Sequence, residues 1–162
     1  ESAVTGEETR RMKARLEERP DPATFGRGLG PGLGINLLVS DMAAAIAFQT
    51  GALGAEIVWQ EADFAILQGC GATWMLHADR AYRDHALGRA VAGLVARGGG
   101  VELRLYGCDP DRAAARAEAA GGSVLCAPLD KPHGLREAFL IDPDGYVWVP
   151  SLPTAGPGGT SL

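Results

Sequence analysis

Short apolar runs separated by turn residues predict eight β-strands in two similar groups. The runs of the first group lie at 35–39, 56–60, 64–67 and 73–77. Those of the second group lie at 101–106, 124–127, 137–141 and 146–149. Runs of this length, bounded by Gly, Pro, Asp and Ser, are typical of strands because helices need longer periodic segments. The pattern therefore predicts a chain built mainly from short strands.

Each group also contains one predicted helix after its first strand. Ser40-Asp41 supplies an N-cap for an alanine-rich helix over 42–50, and Asp109-Pro110-Asp111 caps a helix over 112–120. Glycines follow both segments and favour helix termination there. The order strand, helix and three strands therefore occurs twice, which predicts an α+β fold made of two βαβββ modules.

Three further segments flank the predicted modules. Residues 1–33 combine a charged helix over 7–18 with a linker rich in Gly and Pro, and the thin apolar stripe of that helix suits a surface or a neighbouring subunit. Residues 80–100 form a connector in which Leu87, Val91 and Leu94 predict an apolar helical stripe. Residues 152–162 are expected to be a flexible tail.

Charge and cysteine content exclude several classes of partner. The formal net charge is −5 and no run of Lys or Arg exceeds two residues, which argues against a nucleic-acid partner. No segment approaches the roughly 20 apolar residues that cross a bilayer, so no membrane partner is expected. Three widely spaced cysteines without a CxxC pair favour free thiols in a reducing compartment, and we expect a cytoplasmic protein.

Two segments resemble a known family. Val39-Ser40-Asp41-Met42 followed by the helix that ends in Gly51-Ala52-Leu53-Gly54 is similar to the opening of vicinal-oxygen-chelate proteins. Phe139 to Val149 is similar to their closing hairpin. This family includes glyoxalases, bleomycin resistance proteins and extradiol dioxygenases. The resemblance covers residues 34–151, with modules at 34–79 and 101–151. It implies curled mixed sheets forming a concave cavity, and a homodimer.

The same resemblance implies where a metal would bind in enzymes of the family. Its ligand positions fall near Gly34, Met75, Val101 and Val149, none of which is a good ligand for a divalent cation. A shift of the alignment by one or two places would bring in Asn36, His77 or Glu102. Glu102 would then need a β-bulge to point inward. We therefore expect no metal and no other cofactor.

Ligand contacts are expected from side chains near the cavity. The candidates are Asn36, Trp59, Met75, His77, Glu102, His133 and Arg136. Aromatic groups among them offer large apolar area with fixed geometry, whereas Trp74 and Trp148 are expected in the core by strand alternation. In an alternative interpretation, His77 lies at the rim of the cavity without binding a ligand. His133 then lies in a solvated loop, and Arg136 points outward at the start of the next strand. No residue is identified as catalytic.

The resulting hypothesis is a metal-free protein that encloses a small organic molecule, and it leaves open whether the protein is an enzyme. One alternative is a metal-dependent lyase, isomerase or dioxygenase with a shifted ligand set. Another is a dimerisation or interaction module without an active cavity. Fold alone does not choose among them, because one fold supports several chemistries.

Overall fold

The computed structural model describes residues 22–155, which fall into two compact units divided after Gly34. In the first unit, Pro22–Arg27 forms a short helix, α1, within the segment predicted to be a linker. The helix predicted over 7–18 lies outside the described residues. The second unit starts at Ile35 and contains both predicted modules. Within residues 22–155, no helix has the length and apolar character needed to span a membrane.

The first module is a four-stranded mixed sheet with one helix. Its elements are β1 (Asn36–Val39), α2 (Met42–Gly51), β2 (Glu56–Gln60), β3 (Phe64–Gly69) and β4 (Ala72–Ala78). The strand order is β1-β4-β3-β2, in which β1 is parallel to β4 and the other pairs are antiparallel.

The second module repeats this arrangement. Its elements are β5 (Glu102–Tyr106), α4 (Pro110–Ala117), β6 (Ser123–Asp130), β7 (Leu135–Ile141) and β8 (Val147–Pro153). The strand order is β5-β8-β7-β6, again with one parallel pair at the start of the module. The connector holds a 3₁₀ helix, Asp79–Tyr82, and a short helix, α3 (Ala86–Val91). The predicted α+β fold of two βαβββ modules is confirmed.

Local sequence explains the equivalent helix starts of the two modules. The Asp41 carboxylate accepts a hydrogen bond from the Ala44 amide at 3.0 Å, which caps α2. The Asp109 carboxylate accepts hydrogen bonds from the Asp111 and Arg112 amides at 3.0 and 3.1 Å, which caps α4. Pro110 lies in the first turn of α4, where its missing N–H costs no intrahelical bond.

One core joins the modules on the helix side of their sheets. Trp74 of β4 and Trp148 of β8 are each 2% exposed, and their ring centroids lie 5.2 Å apart. Leu76 and Leu140 belong to the same buried cluster. Because successive strand residues point to opposite faces, each sheet has a second face turned away from this core.

Hydrogen bonds also tie the modules together at two equivalent places. The Ser40 amide donates to an Asp144 carboxylate oxygen at 2.8 Å, which links the start of α2 to the β7–β8 turn. Correspondingly, Cys108, which precedes α4, donates from Sγ to the Leu53 carbonyl at 3.6 Å and lines one cleft with Cys70 of the β3–β4 turn. The Tyr146 hydroxyl adds a bond to the Leu38 carbonyl at 3.0 Å. The first two contacts therefore lie at corresponding positions of the two modules.

Several boundaries and positions differ from the predictions. The apolar stripe predicted in the connector helix is wrong: α3 ends at Val91, while Leu87 and Leu94 are about half exposed. Val101 precedes β5, so Glu102 reaches the face opposite Leu103 without the bulge that was expected. The last strand runs to Pro153, beyond the predicted start of the tail.

Candidate functional site

The face of the first sheet that lies opposite the core carries most of the predicted candidates. Asn36 of β1 is in register with Met75 of β4, and Met75 is in register with Ile66 of β3. Trp59 of β2 pairs with Ile66 across a β-bulge. Directly paired residues point to the same side. We call this surface the first open face.

His77 is the centre of a polar and aromatic group on the first open face. Its Nδ1 lies 2.6 Å from Asn36 Oδ1, while the Asn36 amide nitrogen donates to the Tyr82 hydroxyl at 3.0 Å. The His77 ring also packs against Phe64, with centroids 4.7 Å apart, and against Tyr82, at 5.2 Å. Since Asn36 Oδ1 can only accept, Nδ1 carries the proton and Nε2 keeps its lone pair.

Burial favours the neutral form of the His77 ring. Removal of the ring from water penalises its cationic form, which lowers the pKa of His77 below its usual value. The neutral ring is therefore favoured near neutral pH. A neutral imidazole between aromatic rings can accept a hydrogen bond through Nε2 and can stack against a planar group.

The corresponding face of the second sheet, the second open face, carries a charged group. Glu102 and Arg104 of β5 lie on this side, since the intervening Leu103 pairs with Trp148 in the core. The Arg104 guanidinium donates to Glu102 at 2.7 Å and is also ion-paired with Glu137 of β7. His133 Nε2 lies 2.9 Å from the same Glu137 carboxylate.

Glu137 is an unusual residue for the middle of a strand. It is only 2% exposed, and burial raises the cost of its charge. Hydrogen bonds and charges from His133 and Arg104 outweigh that burial, so the pKa of Glu137 lies below its usual value. The second open face therefore carries a fixed carboxylate beside a fixed guanidinium.

Comparison with known proteins decides the family. A statistical model of the Glyoxalase/Bleomycin resistance protein/Dioxygenase superfamily matches residues 34–149, which is well over half of the chain. The chain belongs to this superfamily. A search of curated protein sequences returned no significant match.

Solved structures of other proteins have the same fold. A glyoxalase-related enzyme from Fulvimarina pelagi aligns with a TM-score of 0.61 at 20% identity, over 83% of this chain and 99% of that chain. A glyoxalase/bleomycin resistance protein/dioxygenase from Nocardioides aligns with a TM-score of 0.59 at 22% identity, over 97% and 99%. TioX from Micromonospora sp. ML1 aligns with a TM-score of 0.53 at 19% identity, over 79% and 100%.

The positions at which the glyoxalase-type resemblance implies metal ligands, and the residues paired with them, carry poor ligands for a divalent cation. Asn36 and Met75 are in register on the first open face, and Arg104 and Val149 are in register on the second. A thioether, an alkyl group and a guanidinium are poor ligands for such a cation. Within the described residues, no cluster of three His, Cys, Asp or Glu side chains could hold a metal ion.

The structure brings most, but not all, of the predicted site residues to the open faces of this glyoxalase-type fold. The first open face carries Asn36, Trp59, Met75 and His77, and the second carries Glu102 and, through its bond to Glu137, His133. Arg136 alternates with Glu137 and is ion-paired with Asp111 of α4 and with Asp130. Arg136 therefore lies on the helix-covered side, apart from the other candidates.

Three residues of these faces were missed in the sequence: Tyr82, Arg104 and Glu137. A signal existed for Arg104, because 101–106 alternates apolar and polar residues and places Glu102, Arg104 and Tyr106 on one face. Glu137 could have been noticed as a lone carboxylate at the start of an apolar strand. No local pattern would bring Tyr82 to His77, since that contact depends on the path of the connector.

Proposed function

We propose that this glyoxalase-type protein binds a small organic molecule, with a planar apolar part and an ionic group, without a metal. We further propose that two copies pair, so that the open faces enclose the ligand. Binding to a shape-defined, mainly aromatic site needs no metal, because stacking and a few fixed polar groups set affinity and orientation. The main support is the difference between the two open faces: the first carries a row of aromatic rings, and the second carries an ion-paired arginine.

The first open face suits the planar part of such a ligand. Phe64, His77 and Tyr82 form a continuous row of rings, and Asn36 fixes the orientation of two of them. Rings held by neighbours lose little entropy when a ligand stacks on them. At the β3–β4 end of this face, Glu56, Gln68 and Thr73 line a cleft of about 350 Å³.

The second open face suits the ionic group. Arg104 is already held by Glu102 and Glu137, so a ligand anion that pairs with it does not have to order it. Charge-assisted hydrogen bonds are about twice as strong as neutral ones. The Tyr106 ring, about 5.8 Å from the Arg104 guanidinium carbon, extends this surface with an aromatic group.

Exposed apolar side chains support pairing of two copies. Ile57 and Val58 on the edge strand β2, and Leu125 and Leu129 on the edge strand β6, are 37–58% exposed. Apolar groups on edge strands favour association, since an open edge also presents unpaired backbone N–H and C=O groups. A cytoplasmic location remains our expectation from the free thiols.

A fluorescent probe can test ligand binding without knowledge of the natural ligand. Anilinonaphthalene sulfonate combines planar rings with an anion, and we expect saturable binding that His77→Ala weakens about tenfold through loss of a stacking partner. Arg104→Met should weaken binding of the sulfonate by a similar factor and leave binding of the uncharged analogue anilinonaphthalene unchanged.

Arg136→Met is the matched control, because Arg136 is exposed on the other side of the same sheet. It should leave probe affinity unchanged. Equal affinities in wild type, His77→Ala and Arg104→Met would refute binding at the open faces. Sedimentation of the wild type as a monomer at all accessible concentrations would refute the pairing.

A further inference from the structure

A second cleft lies where the two modules meet and adjoins the first cleft, with which it shares Gly54 and Cys70. It measures about 320 Å³ and is lined by the loop after α2, the β3–β4 turn and the first turns of α4. Its chemically active side chains are Cys70, Cys108, Arg112 and Arg116. The proposed function of the open faces uses none of them.

The two cysteines of this cleft come from different modules. Cys70 is exposed on the β3–β4 turn, whereas Cys108 is buried immediately before α4. Both residues line this one cleft, and Cys108 Sγ donates to the Leu53 carbonyl at 3.6 Å. Two thiols of one cleft can be joined when their Cβ atoms approach as a disulfide requires.

Cys70 has a backbone conformation that is unusual for its residue type. Its φ is +50°, and it is the only non-glycine residue with positive φ within the described part of the chain. This backbone region costs an ordinary L-residue about 1 kcal/mol, and Gly or Asn usually occupies it in a tight hairpin. Here the residue at this position is Cys70, whose thiol does not stabilise the turn by a hydrogen bond and lines the cleft.

Two arginine side chains make one side of the cleft positively charged. Arg112 and Arg116 are one helical turn apart on α4, both exposed, and neither forms an ion pair with any residue between 22 and 155. The Asp109 carboxylate in the same cleft is engaged in capping α4. Two guanidinium groups without partners beside a thiol attract an anionic reagent.

We propose that this cleft is a thiol–disulfide exchange site for an anionic low-molecular-weight disulfide, with Cys70 as the attacking thiol and Cys108 as the resolving thiol. The Cys70 thiolate attacks one sulfur of the bound disulfide, forms a mixed disulfide and releases one small thiolate. Cys108 then loses its proton and attacks the Cys70 sulfur, which releases the second small thiol. The protein dithiol is oxidised and the small disulfide is reduced to two thiols.

The order of the steps follows from burial. Burial, together with Cys70, raises the pKa of Cys108 to about 12, so that Cys108 remains protonated at neutral pH. Cys70 is exposed and is reached first by a reagent held at the arginines. The second step is therefore the slower one, and the mixed disulfide at Cys70 accumulates before the Cys70–Cys108 disulfide forms.

Oxidised glutathione, an anionic disulfide, is the probe for the experiment, and cationic cystamine is its charge control. Reduced protein carrying Cys126→Ser, which removes the other exposed thiol, is treated with either reagent and followed by intact-mass spectrometry and peptide mapping. We expect transient addition of one glutathionyl group at Cys70 and then a Cys70–Cys108 cross-link. Cys108→Ser should stop the reaction at the mixed disulfide.

The double variant Arg112→Ala/Arg116→Ala should slow glutathionylation about tenfold through loss of electrostatic attraction. The same variant should leave the rate with cystamine equal or higher. Absence of the Cys70–Cys108 cross-link would overturn the proposal. Equal slowing of both reagents, or of neither, would overturn the assignment of an anionic disulfide. Probe binding at the open faces does not depend on either result.

Discussion

At the residue scale, Gln49 departs from the rule that buried polar groups are hydrogen-bonded. Its side chain is fully buried in α2, and neither amide atom has a hydrogen-bond partner in the described part of the protein. A buried amide without partners costs about 1–3 kcal/mol. Met has a similar shape and no such requirement.

We therefore predict that Gln49→Met raises the free energy of unfolding by about 1 kcal/mol. Urea denaturation followed by tryptophan fluorescence measures the change. Gln68→Met is the matched control, because Gln68 is exposed and hydrogen-bonded to Glu56, and it should bring no gain. A loss of stability in Gln49→Met would contradict this account of the residue.

His77 provides a prediction of pH dependence. Burial lowers its folded-state pKa below the ordinary value of 6.5, so the folded protein binds a proton less readily than the unfolded chain. Stability from this group is complete above about pH 6.5 and is lost as the pH falls through the lowered folded pKa.

The comparison of wild type with His77→Gln tests this. The variant should lose less stability than wild type between pH 7 and acidic pH, while NMR of wild type should report a His77 pKa under the ordinary value. A His77 pKa above 6.5 would contradict the neutral ring on which the proposed stacking depends.

At the element scale, the end of α4 depends on the absence of a side chain at Gly122. A Cβ there would lie 2.3 Å from a Phe48 ring carbon and 2.6 Å from the Ile141 carbonyl oxygen. The carbonyl belongs to β7 and cannot move without disturbing the sheet.

Gly122→Ala should therefore lower stability by about 2–3 kcal/mol through overpacking. Gly34→Ala is the control, since a Cβ at Gly34 meets no atom within 4 Å, and it should change stability by less than about 0.5 kcal/mol. Thermal unfolding of both variants measures the difference. Equal melting temperatures for the two variants would contradict this prediction, because they would mean that α2 and β7 can move apart to make room for the added Cβ.

The elements themselves were largely predictable from the sequence. The strand–helix–strand–strand–strand order was predictable because each helix has an Asp cap and following glycines, and the strands are short apolar runs between turns. The structure of the connector was not predictable, since Leu87, Val91 and Leu94 have the spacing of an apolar helix face although Leu87 and Leu94 are exposed. Local pattern cannot distinguish an apolar stripe that packs from one that stays in solvent.

The candidate site was only partly predictable, for a related reason. Met75 and His77 could be placed on one face because alternation within one strand is local information. That Asn36 shares this face depends on the pairing of β1 with β4. For Arg136 the sequence left both a ligand contact and an outward-facing position open, because the side of a residue depends on the strand register, which a one-residue shift reverses. The contact of Glu137 with Arg104 joins residues of β7 and β5, and such a pairing across the sheet is a property of topology.

At the scale of the whole molecule, Arg97 links the modules. Its side chain, 6% exposed, makes a bidentate pair with Asp79 at 2.6 and 2.8 Å, donates to the Leu38 carbonyl and lies 3.7 Å from Asp144. Removal of one member of a buried ionic group leaves the others without compensation.

Arg97→Ala should therefore destabilise the protein by about 3–5 kcal/mol. Arg136→Ala, which removes an exposed arginine with two acidic partners, should cost no more than about 1 kcal/mol. Chemical denaturation measures both variants. A similar cost for the two would contradict the role of Arg97 as the link between modules.

The central claim is that the open faces bind an organic ligand without a metal. The most direct measurement is the affinity for anilinonaphthalene sulfonate before and after removal of metals by chelation, with metal content determined by plasma mass spectrometry. We predict that affinity is unchanged and that bound metal is far below stoichiometric. Loss of affinity on chelation, with recovery on addition of Ni, Zn, Mn or Fe(II), would contradict the account.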